Sequence, residues 1–226
     1  MRKILVPTDF SECAENALNY ALYIAKKMKA EIVLLSAYHV PSSGSASIVI
    51  NIQEEMRTET NRELKSLISN LESVHPKLKF SGFSDFNIPA NSIIRYSENM
   101  DFDMVVIGTT GATGLKDVFM GSTTAAIVDK VKIPILAVPN ESKFSEIDTI
   151  LMACSLDSFK SVDSMNFLKK FATKLDMDVR FFNVFKTDDK DHEERLEKKK
   201  ESLKIIFDSF NYDIQLIQSN DIEDAV

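Results

Sequence analysis

Residues Met104–Val138, MVVIGTTGATGLKDVFMGSTTAAIVDKVKIPILAV, decide the fold. Met104 to Ile107 is an apolar run with the length and composition of a buried strand. It opens into a loop punctuated by Gly108, Gly111, Gly114 and Gly121. Ser122-Thr123-Thr124 then begins a segment patterned as a helix, and Pro134 precedes a second apolar run. Strand, glycine loop, hydroxyl-bearing helix start and strand make a seat for phosphate groups in α/β proteins. The first amides of a helix have no intrahelical acceptor and carry partial positive charge. Glycine can adopt positive φ, or let backbone come close to a ligand with no Cβ in the way. The spacing Gly108-x2-Gly111-x9-Gly121-Ser122-Thr123 is neither GxxxxGK[ST] nor GxGxxG. A loop that merely closes a crossover is the competing reading. Its place at a strand's carboxyl end, leading into Gly-Ser-Thr, favours phosphate.

Upstream, apolar runs alternate with segments of helical period. Ile4 to Val6 reads as a strand ending at Pro7-Thr8-Asp9, and Ser11 as a helix cap. Ala14, Leu18, Ala21, Leu22, Ala25 and Met28 follow at helical spacing. Ile32 to Leu35 is a second strand, running on to Ala37 and Tyr38. The Ser- and Gly-rich loop from Pro41 to Ser47 leads to a long helix carrying Met56, Leu64, Leu67, Ile68 and Leu71. Leu78 to Phe83 is a weaker strand, and Ile88 to Met100 a helix with Ile93 and Ile94 inward. The series β-α-β-α-β-α-β-α-β calls for an open parallel sheet with helices on both faces.

After a polar stretch, Asn140 to Glu146, the opening order returns. Ile150 to Cys154 reads as a strand reaching Ser155-Leu156-Asp157, where the first half has Pro7-Thr8-Asp9. Met165, Leu168, Ala172 and Leu175 match the first helix, and Val179 to Phe185 the second strand. Leu196 to Phe210 matches the long helix and Ile214 to Ile217 the third strand; Ile222 to Ala225 resembles Ile88 to Asn91. The expected organisation is a domain over 1–140 and an incomplete second copy over 146–226 lacking the glycine loop, the last helix and two strands.

The chain has 226 residues, 44% hydrophobic and 27% charged, with a net charge of −7. This balance suits a soluble globular protein and argues against a general nucleic-acid binder, which needs a basic face. Cys13 and Cys154 form no disulfide framework, no leader pattern opens the chain, and no apolar run reaches membrane-span length. A cytoplasmic protein is expected. His39, His75 and His192 lack metal-ligand spacing and read as surface residues; Cys13 reads as a small core residue at a helix start. The charges from Lys186 to Lys204 read as a solvated helix face. Asp9 is either a helix-capping carboxylate or a ligand contact, and Asp157 a cap.

Three features together resemble the universal stress protein family of the ATP-binding type. They are Val6-Pro7-Thr8-Asp9-Phe10-Ser11, the Gly108/Gly111/Gly121-Ser122-Thr123 spacing, and Ile133-Pro134-Ile135-Leu136-Ala137-Val138-Pro139. The resemblance implies a five-stranded sheet in the order 3-2-1-4-5 and an adenine nucleotide, ATP or another, with Mg2+ at the strand ends. It places Pro7, Thr8 and Asp9 by adenine and ribose, and backbone near Ala37 at the adenine edge. Ile107 and Gly108 would line the ribose, and Gly111, Gly121, Ser122 and Thr123 would hold phosphates. It also implies a homodimer, or an intrachain pseudo-dimer, through the last strand. The function expected is that of a stress-response nucleotide-binding module with at most slow hydrolysis, since no general base or arginine finger stands out. The alternatives are an ATP-using enzyme and an interaction module with a vestigial cleft.

Overall fold

The computed structural model describes residues 1–39, 46–110, 120–153, 162–185, 192–206 and 212–219. The chain divides into two compact units, Met1–Ser145 and Glu146–Val226.

In the first unit β1 (Lys3–Pro7), β2 (Glu31–Tyr38), β3 (Phe80–Phe86), β4 (Met104–Gly108) and β5 (Ile135–Val138) form one parallel sheet. Its order is β3-β2-β1-β4-β5. The helices are α1 (Glu12–Met28), α2 (Ala46–Val74), α3 (Pro89–Asn99) and α4 (Ser122–Val128). The third strand extends three residues beyond the apolar run that marked it, because pairing with β2 through Tyr38↔Phe86 carries it on.

Alternation along the strands divides the core between two faces. Leu5, Val33, Leu35, Val105 and Ile107 share one apolar cluster with Ala90 and Ile93 of α3 and Ile127 of α4. Ile4, Val6, Ile32 and Leu34, the residues between, are equally buried and point to the opposite face. Burial on both faces is what a parallel sheet requires, and it explains the near-continuous apolar strands. α1 is capped by Ser11, whose side chain accepts a hydrogen bond from the Ala14 amide, and ends at Lys29 in the left-handed region (φ 55). The polar stretch after β5 lies along α1. Asn16 Nδ2 donates to the Ser142 carbonyl at 2.6 Å, and Phe144 meets the ring edges of Tyr20 and Tyr23.

The second unit holds a parallel three-stranded sheet, β6 (Thr149–Ala153), β7 (Asp178–Phe185) and β8 (Tyr212–Gln218), in that order, with α5 (Val162–Leu175) and α6 (His192–Ile206). Its registers reproduce those of β1, β2 and β3. Lys3↔Glu31 and Ile32↔Phe80 in the first sheet answer to Thr149↔Asp178 and Val179↔Tyr212 in the second. The turns agree as well. Lys29 and Asp176 both have positive φ, and the next amide, of Ala30 or Met177, donates to Ala25 or Ala172. The core here is built on Phe181, Leu175 and Ala172. On α6, Glu194–Lys198 and Glu197–Lys200 make solvated pairs, as the mixed charges suggested. Cys154, Asp157, the segment 207–211 and Ile222 to Ala225 lie outside the described residues.

Ile127 is the apolar anchor of the short helix α4 and is fully buried. Ile127→Ala should lower unfolding free energy by about 2–5 kcal/mol through lost burial and the cavity left behind, measured by urea denaturation.

Candidate functional site

Connections from β1 and from β4 leave the sheet to opposite faces, so a crevice opens at the carboxyl ends of these two neighbours. A cleft of about 360 Å³ occupies it. The structure brings together Pro7, Thr8 and Asp9 from the end of β1, Ala37 from β2, Ile107 and Gly108 from β4, and Gly121, Ser122 and Thr123 from the start of α4. Gly111 lies outside the described residues.

The β1 end is shaped by local hydrogen bonds. The Thr8 amide donates to the Leu35 carbonyl, and Thr8 Oγ1 accepts from the Phe10 amide. Phe10 takes positive φ (61), an uncommon conformation for a bulky side chain, so the turn is held by its surroundings. Asp9 Oδ1 accepts from both the amide (3.2 Å) and the hydroxyl (2.6 Å) of Ser11. Asp9 thus steadies the cap of α1, and it also lines the cleft.

The two described loop glycines serve the fold in a way that the sequence did not specify. Neither has positive φ. A Cβ on Gly108 would sit 2.6 Å from Cys13 Sγ and 3.0 Å from the Cys13 carbonyl oxygen. A Cβ on Gly121 would sit 2.7 Å from the Thr109 carbonyl oxygen. Their absent side chains let α1 and α4 close on the end of β4. Cys13 is buried there, its thiol directed at the Val138 carbonyl at 3.7 Å. Thr124, also buried, donates its hydroxyl to the Gly108 carbonyl at 3.0 Å, tying α4 to β4.

Sequence reasoning missed further lining residues: Ala14, Leu35, Pro89, Ile93, Thr109 and Thr110, besides Thr124. Thr109-Thr110, directly after Gly108, could have been found from the motif. Pro89 and Ile93 could not, since they arrive on α3 from another part of the chain. That helix is fixed to β3 by Asp85, whose Oδ2 accepts from Ser92 Oγ (2.5 Å) and Arg95 (2.7 Å). The hydrogen bond to Asp85 and its charge hold the Arg95 guanidinium above its ordinary pKa.

Among the described lining residues, Asp9 is the one ionisable side chain. The lining combines apolar residues with the hydroxyl-bearing Thr8, Thr109, Thr110, Ser122, Thr123 and Thr124. No cluster of three metal-ligating side chains occurs among the described residues.

A family model described as the universal stress protein family matches residues 1–139. The chain belongs to this family. Two universal stress proteins of Methanocaldococcus jannaschii are similar to it: MJ0531, 28% identical over 63% of this chain and 84% of that one, and MJ0577, 29% identical over 62% and 96%. A universal stress protein of Archaeoglobus fulgidus has the same fold over 96% of this chain and 79% of its own (TM-score 0.67, 21% identity). The sheet order β3-β2-β1-β4-β5 is that of the universal stress protein fold.

Gly108→Ala should destabilise the protein by about 1–3 kcal/mol, because the methyl meets helix backbone as well as sulfur. Adding Cys13→Ala should recover only part of this. A thermal-denaturation cycle of the two single variants and the double variant should show coupling of at least about 0.5 kcal/mol.

Proposed function

We propose that the cleft of the first unit binds ATP or another adenine nucleotide with Mg2+, and that the protein is a nucleotide-responsive regulator of the stress response. The observation that carries this reading is the convergence of the β1 end, Ala37 and the Gly121-Ser122-Thr123 helix start on one crevice. Pro7, Leu35, Ala37, Ile93 and Ile107 offer flat apolar contact for a base and ribose. Ser122 and Thr123 offer donors for phosphates; the Gly121 amide itself is held by the Thr109 carbonyl, and Gly111 lies in the same loop of the sequence. With no Lys or Arg among the described lining residues, the polyphosphate charge would be balanced by amides and a cation. Mg2+ fits as a nucleotide-borne ion, since it keeps waters and phosphate oxygens and needs one or two carboxylates. Asp9 is the carboxylate present.

The same lining argues against fast phosphoryl transfer, which needs a positioned base and a mobile cation aimed at the γ-phosphate. The reading is therefore a binding module with at most slow hydrolysis. The matching registers and turns support the second unit as a copy of the first three strands of the first unit. β5, an edge strand with half-buried Ile135, Leu136 and Ala137, is the surface proposed for pairing with a second chain. No described helix is long and apolar enough to cross a membrane, and a cytoplasmic location is part of the proposal.

Isothermal titration of magnesium-ATP should give saturable binding to the wild type and none to Gly121→Val, whose folding is checked by circular dichroism. Equal binding by both, or by neither, removes the proposal. The protein has no Trp and five Tyr, so adenine retained through purification should raise the 260 nm absorbance visibly above that of the protein alone.

A further inference from the structure

A second cavity, of about 580 Å³, lies at the opposite end of the sheet, where β2 begins and α1 and α2 end. Its cationic side is built from Lys26, Lys29, Lys77 and Lys79. Among the described residues none of these four ammonium groups is in an ion pair. In a chain with 34 carboxylate residues against 27 Lys and Arg, such a local excess of unpaired cations is unusual. Glu31, the carboxylate in the lining, has Oε1 occupied by the hydroxyl of Ser81 at 2.7 Å. Burial and the nearby Lys26 lower the pKa of His75 and so favour its neutral form.

The charge balance indicates what would fit. Two helix C-termini contribute about −0.5 each, as partial charges on their last carbonyls. Set against four lysines and one glutamate, they leave a surplus of roughly two positive charges. The rest of the lining is largely aliphatic: Val74, 62% exposed, with Pro76, Leu78 and Ala30. A group of charge −1.5 to −2 is the ionised state of a phosphate monoester at neutral pH. A lone carboxylate would leave half of the surplus unmatched, and bare inorganic phosphate would leave the aliphatic wall in water.

We infer that this cavity is a binding site for a phosphate monoester with a compact apolar body, its phosphate among the lysines and its body on the Val74, Pro76 and Leu78 wall. The site is independent of the nucleotide cleft, whose described lining has no cationic side chain. The lysines are exposed, so their replacement leaves the core intact.

The test is calorimetric titration of the full chain with phenyl phosphate at about 0.1 M salt, where the screening length is about 10 Å. Wild type should bind saturably, and K29Q/K79Q should bind about tenfold or more weakly, the loss of two charge-assisted contacts. R57Q/K65Q, which removes the same charge from exposed positions on α2 about 25 and 13 Å along the helix from Val74, should stay within about twofold of wild type, since screened charges at that range contribute little. Inorganic phosphate should bind several-fold more weakly than phenyl phosphate. The inference is overturned by no saturable binding to wild type, or by equal affinity in K29Q/K79Q and R57Q/K65Q. Inorganic phosphate binding as tightly as phenyl phosphate, an adventitious ion only, overturns it too. So does tight, K29Q/K79Q-sensitive binding of oligo-glutamate without binding of phenyl phosphate, which would make the surface a peptide site.

Discussion

The first unit depends on how closely backbone can approach the carboxyl end of β4. Gly108 admits α1 and Gly121 admits the start of α4, and in each case the atom that forbids a side chain belongs to the protein's own backbone or to Cys13. Once these contacts close, the Gly108 carbonyl meets the Thr124 hydroxyl, and the helix start of α4 faces the end of β1 across the reversal in strand order. The cleft is thus a by-product of packing that would be needed even with nothing bound. That economy is physical: amides left unpaired by a helix start must find partners, and a crevice between strands leaves them open to a ligand or to water.

The two ends of the sheet differ in how they could hold anions. At the carboxyl end the described lining offers amides and hydroxyls whose positions are set by the main chain, with Asp9 as its one ionisable group. At the amino end flexible lysines surround an aliphatic wall, and the helix ends there carry the unfavourable sign for an anion. Fixed dipoles discriminate by geometry, whereas four mobile ammonium groups supply charge and tolerate variety. The two cavities are therefore suited to different ligands.

The second unit shows the same architectural rules with fewer elements. Repetition of the β1-β2-β3 registers, down to the left-handed residue before the second strand, shows that local turn chemistry and strand pairing suffice for this layer of the fold. What it lacks among the described residues is a neighbour for β6 of the kind that β4 is to β1. Leu151 is accordingly 57% exposed, where Leu5 in the central strand of the first unit is fully buried.

Much of the first unit was legible in the chain because burial on both faces forces strands to be continuously apolar and helices to repeat at their own period. Ile4 to Val6, Ile32 to Leu35 and Met104 to Ile107 announce themselves in this way, and Ser11 declares its helix. The segments that line the cleft were legible too, since Pro7-Thr8-Asp9 and Gly121-Ser122-Thr123 sit where local sequence alone sets backbone geometry. Pro89 and Ile93 were not, because they reach the cleft only through the Asp85 link between β3 and α3. Nor did sequence distinguish a glycine needed for its φ from one needed for its missing Cβ; that depends on Cys13 and Thr109, which only packing brings alongside. The lysine-lined cavity was invisible for the same reason, as Lys26 and Lys29 lie some fifty residues from Lys77 and Lys79 and share a surface only once β2 is paired with β3. Periodicity and turn chemistry act over a few residues and can be read directly; proximity between distant segments exists only after the chain has closed on itself.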